Sequence, residues 1–90
     1  MSRMKILVEG TPNPSAVKFV LDMDALGPDS RSYFSAEEAS DDALARRIFE
    51  VEGVRALFMV DDFITVTRAE DAAWDDIVEE VLCAIREELE

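Results

Sequence analysis

Apolar residues recur along this chain with two periods, every second residue in some stretches and every third or fourth in others. Each change of period marks a predicted element. The firmest prediction is a β-hairpin at residues 53–68. Two runs of β-branched, aromatic and aliphatic residues, 55–60 and 63–67, flank Asp61-Asp62 with the spacing of a tight turn. Alternation puts Ala56, Phe58 and Val60 on one face of the first run and Leu57 and Met59 on the other. In the second run it separates Ile64 and Val66 from Phe63, Thr65 and Thr67. Because both faces of the first run are apolar, that strand is expected inside a sheet, with Phe58, Ile64 and Val66 in the core.

The same reading places a short strand at residues 5–9 and a second at 16–21, where Val17, Phe19 and Leu21 alternate with Ala16, Lys18 and Val20. Between them, Pro12 and Pro14 fix φ and remove two backbone donors, so neither a helix nor a paired strand can run through. Residues 22–31 collect Asp22, Asp24, Gly27, Pro28, Asp29 and Ser30 and predict a loop, followed by a brief edge strand at 32–34. A helix over 41–50 is expected, with Ser40 as N-cap and Leu44, Ala45, Ile48 and Phe49 as its buried stripe. A second, over 72–88, is capped by Asp71 and buries Trp74, Ile77, Val78, Val81, Leu82, Ile85 and Leu89. The sum is an α+β domain: a two-layer sandwich with a largely antiparallel sheet of four or five strands and both helices on one face.

Composition narrows what such a domain can do. Ninety residues with 49% apolar content suit one small globular domain spanning 1–90. The 21 acidic against 9 basic residues give a net charge of −12, which opposes binding to nucleic acid or an anionic membrane surface and favours a basic protein or a cation. The acid is concentrated after residue 68, where nine carboxylates face Arg86 alone. The apolar run near the start ends at Glu9, too short for a signal peptide, and nothing later approaches membrane-spanning length, so a cytoplasmic location is expected.

The chain has one cysteine, Cys83, and no histidine, which removes an internal disulfide and the commonest acid-base group and nitrogen ligand. Cys83 falls about 160° from the middle of the apolar stripe of its helix, on the solvent side. Glu79, Glu80 and Glu87 at one-turn spacing work against a reactive thiolate there. A surface cysteine is therefore the first reading, and a metal-carrying or redox role for Cys83 with nearby carboxylates the alternative. A conventional iron-sulfur cluster takes four thiolates, so no cofactor is expected on this chain alone, and iron or a cluster would need a partner's ligands. Asp61-Asp62 and the Asp71, Asp75, Asp76 and Glu79 group match no dedicated calcium loop. No nucleophile, acid and base converge in the pattern, so no enzyme activity is expected. The remaining candidate is the proline loop: Thr11, Pro12, Asn13 and Pro14, with Lys18 nearby on an otherwise apolar strand face, could present a rigid recognition surface.

Thr11-Pro12-Asn13-Pro14, Val17-Lys18-Phe19, Ala43-Leu44-Ala45 with Ile48-Phe49, Val51-Glu52-Gly53-Val54, Phe58, Asp62-Phe63-Ile64-Thr65-Val66-Thr67, Trp74 and Ile77 occur in that order. In this the chain resembles the N-terminal domain of the Nfu/NifU-type iron-sulfur cluster scaffold proteins over nearly its whole length. In that family the domain typically precedes a second one, whose Cys-X-X-Cys pair binds a cluster and passes it to apoproteins. No such pair occurs within these residues, so no ligands carry over. The resemblance implies a stand-alone, non-catalytic adaptor in iron-sulfur cluster biogenesis, binding donor or client proteins of that pathway.

Overall fold

The computed structural model describes residues 5–89. In chain order it contains β1 (Ile6–Gly10), β2 (Ala16–Leu21), β3 (Gly27–Tyr33), α1 (Ala43–Phe49), β4 (Val54–Asp61), β5 (Phe63–Arg68) and α2 (Trp74–Leu89). The strands form one sheet in the order β1-β2-β5-β4-β3, every pair antiparallel. The β4–β5 hairpin thus supplies the centre, as its apolar pattern predicts. Val60 pairs with Phe63 across the Asp61-Asp62 turn. Asp61 adopts φ 52°, the left-handed conformation that aspartate tolerates better than most side chains.

Register decides which face is the inside. Phe19, Ile64, Val66, Leu57 and Met59 share one face and are at most 2% exposed. Against them pack Leu44, Ala45 and Ile48 of α1 and Ile77, Val81, Ala84 and Ile85 of α2. Both helices therefore cover one face, and each fully buried large side chain contributes roughly 1.5–3 kcal/mol. Phe58 is the exception to expectation. It pairs with Thr65, not with Ile64 or Val66, so it points to the uncovered face and is exposed. Alternation alone could not choose between the two apolar faces of β4.

Three boundaries also differ from the sequence pattern. The third strand begins at Gly27, inside the expected loop, and ends at Tyr33, leaving Phe34 outside it and 70% exposed. Its register with β4 slips between Gly27 and Arg31, so turn-forming residues are carried in an irregular edge strand. The cap of α1 is Asp42, not Ser40: its Oδ1 accepts from the Ala45 N–H at 3.1 Å. Oδ2 of the same carboxylate accepts from Arg31 at 2.7 Å and from the Tyr33 hydroxyl at 3.0 Å, so one side chain fastens β3 to α1. Burial, reinforced by that hydrogen bond and by the negative charge of Asp42, raises the Tyr33 hydroxyl above its usual pKa.

The helix α2 starts after Ala73, whose carbonyl accepts from Ile77, so Asp71 sits in the preceding turn and not at the cap. Arg47 of α1 bridges to Glu87 of α2 across the outer helical surface. Gly53, at φ 99°, lets β4 pass beneath α2; a Cβ there would lie 2.7 Å from that of Ala72.

Candidate functional site

The proline loop is a corner between β1 and β2 whose polar groups turn inward on itself. The Thr11 hydroxyl lies 2.8 Å from the Asn13 carbonyl and 3.0 Å from that of Ala16, while the Asn13 N–H donates back to it at 3.1 Å. The Asn13 side-chain oxygen accepts from the Ser15 N–H at 2.9 Å, and the Ala16 N–H closes the turn on the Asn13 carbonyl. Pro12 and Pro14 need no donor partner. The backbone is thus satisfied from within, while Pro12, Asn13 and Pro14 stay exposed.

A distant residue completes the fastening. The Trp74 indole N–H, at the start of α2, donates to the Pro14 carbonyl at 3.3 Å. Arg68 in turn lies over the Trp74 ring, 5.7 Å from its centroid, and its Nη1 donates to the carbonyls of Ala69, Glu70 and Ala72. The Arg68 N–H also donates to Ser15. Arg68 and Trp74 therefore hold both the loop and the β5–α2 connection. Nothing in the sequence pattern links Trp74 to Pro14, 60 residues earlier.

Lys18 is placed differently from the loop residues. It stands on the uncovered face of β2, and its Nζ lies 4.3 Å from the centroid of Phe63. Phe63 pairs with Val20, on the side of Lys18 away from the loop, so the lysine reaches away from Thr11–Pro14. Phe58 follows at 5.9 Å from Phe63. The structure thus joins Thr11, Pro12, Asn13 and Pro14 in one corner and gives Lys18 to an aromatic cluster on the open sheet face.

Cys83 is exposed, beside a cleft also lined by Arg47, Glu50, Val51, Glu79 and Glu80. Among the described residues, no group of three or more His, Cys, Asp or Glu side chains is arranged to hold a metal ion.

The model of the family described as the scaffold protein Nfu/NifU N-terminal domain matches residues 6–90. The chain belongs to that family. This Nfu/NifU N-terminal domain is 41% identical over 83 residues to the NFU1 iron-sulfur cluster scaffold homolog, mitochondrial, of Drosophila persimilis, and as much over 81 residues to that of Drosophila grimshawi. These matches cover 91% and 89% of the chain but 29% and 27% of the relatives, so it spans less than a third of their length. Among solved structures, a NifU-like protein from Saccharomyces cerevisiae superposes with a TM-score of 0.81 at 26% identity, covering 97% of this chain and 79% of that one. Protein SAV1430 from Staphylococcus aureus gives 0.78 at 31% identity, covering 93% and 99%.

Proposed function

We propose that this Nfu/NifU N-terminal domain is a non-catalytic, protein-binding adaptor in iron-sulfur cluster biogenesis, contacting its partners through the Thr11–Pro14 loop and the sheet edge beside it. One observation carries the reading: a loop with its backbone hydrogen-bonded internally and anchored by Trp74 nevertheless presents Pro12, Asn13 and Pro14 to solvent. A surface already ordered before contact gives up little conformational entropy on binding, which is what a recognition corner needs. The names of the relatives supply the pathway, and the net charge of −12 favours a basic protein surface over nucleic acid.

The test is capture from cell extract with iron-sulfur proteins quantified in the eluate. They should be enriched on the wild-type domain and fall to background on a Pro12→Ala, Asn13→Ala double variant. Equal recovery on both would remove the loop from the reading, and no enrichment on either would remove the adaptor role.

A further inference from the structure

The two edges of the sheet are not equivalent, and the difference points to how a partner is held. At the β3 edge, Pro28 lacks an N–H, the register slips, and Asp29 and Ser30 face water, all features that discourage another strand from adding. The β1 edge has neither a proline nor a register slip, although Glu9 on it also faces water. Its register with β2 runs unbroken from Ile6 to Gly10, and Leu7 and Val8 are 61% and 43% exposed on opposite faces.

The direction of its backbone groups follows from the ladder. In an antiparallel sheet, alternate residues of an inner strand bond to opposite neighbours. The Leu21 N–H donates to Asp62 and the Arg68 N–H to Ser15, so odd-numbered residues of β2 face β5 and even-numbered ones face β1. Lys18 pairs with Glu9 and Val20 with Leu7, which turns the N–H and C=O of Leu7 and Glu9 inward. Those of Ile6, Val8 and Gly10 therefore point outward, where among the described residues no strand pairs with them.

We infer that β1 takes an extended, basic segment of a partner protein as a sixth strand, Ile6, Val8 and Gly10 supplying the main-chain bonds and Leu7 and Val8 the apolar contacts on the two faces. This deepens the adaptor reading and rests on it for the existence of a protein partner. Strand addition fits the chemistry because the outward groups match an extended backbone and no other secondary structure. Charge selects the occupant. Around the strand Glu9 and Asp22 are matched by Lys5 and Lys18, so it is the chain's net charge of −12 that repels a second copy and attracts a lysine-rich or arginine-rich strand.

The experiment titrates the purified chain with a synthetic peptide of alternating lysine and valine and, separately, with one of alternating glutamate and valine, following amide hydrogen exchange. With the basic peptide, exchange at Ile6, Val8 and Gly10 should slow by about tenfold or more, while Leu7 and Glu9, already paired within the sheet, change little. Val8→Pro removes one outward donor and spares the β1–β2 bonds, so the basic peptide should bind about tenfold more weakly. Val8→Lys keeps the backbone and adds a like charge, and should weaken binding in the same direction. The inference is overturned if the acidic peptide binds as well, if both variants bind like wild type, or if sedimentation shows the chain pairing with itself through β1. Because the peptide result is read on pure protein, it stands or falls separately from enrichment of iron-sulfur proteins out of extract.

Discussion

The two ends of the sheet are built by opposite means. The β3 end is fastened by side chains: Asp42 caps α1 while accepting from Arg31 and Tyr33, and a second Arg31 nitrogen reaches the Leu26 carbonyl at 3.0 Å. The β1 end is fastened by backbone, through its ladder to β2 and a proline corner whose hydrogen bonds are largely internal. A side-chain clasp uses up the polar groups near the edge it closes. A backbone ladder leaves the far side of its last strand with donors and acceptors to spare; at β3 a proline and a register slip break up that row, whereas at β1 it runs regular.

The sharpest way to break this contrast is Asp42→Ala. It removes a cap and leaves Arg31 and Tyr33 without their shared acceptor, so it should cost about 2–3 kcal/mol and lower Tm by roughly 10–20 °C. Thermal unfolding followed by circular dichroism measures it. A loss below about 0.5 kcal/mol would mean that the β3 end is held by packing alone and that the clasp is incidental.

Asp42 also shows where reading the sequence stops. Its role depends on Arg31 and Tyr33 arriving from another element, whereas the sequence shows only a serine and two aspartates before a helix, any of which suits a cap. The strand β2, the hairpin and α2 were legible because each carries its own periodicity over six or more residues. The strand β3 was not, because Gly27, Pro28, Asp29 and Ser30 carry turn chemistry and the ladder bulges to accommodate them. Alternation cannot place Phe58, because β4 is apolar on both sides and only its pairing with Thr65 assigns a face. The loop itself was legible from its two prolines. Its anchor was not, since the Trp74 contact exists only once α2 has folded back over the sheet.

That anchor gives a smaller, more local prediction. Trp74→Phe keeps most of the aromatic packing beneath Arg68 but deletes the donor to Pro14, and should cost about 1 kcal/mol. The effect belongs at the β1 end: exchange of the Ser15 and Ala16 amides should accelerate several-fold while those of the β3–β4 ladder stay as they are. Uniform acceleration across the sheet would show that Trp74 supports the whole core and not the corner.

The smallest expected effect is the most discriminating for the comparison. Leu7 is 61% exposed on the uncovered sheet face, and its backbone groups already bond to β2. Replacing it by lysine therefore costs little burial, keeps the ladder, and adds one positive charge to a chain of net −12, which relieves self-repulsion slightly. Leu7→Lys should change stability by no more than about 0.5 kcal/mol in denaturant unfolding. Buried leucines in a core lose several times that on truncation, so a cost above about 1.5 kcal/mol would show that Leu7 is structural and that the β1 end is closed like its counterpart. Near-neutral stability, with weaker binding of a basic strand, would instead separate the two roles. A large apolar side chain held in water that can be exchanged for lysine without loss contributes little to this fold and is left available to a strand added at β1.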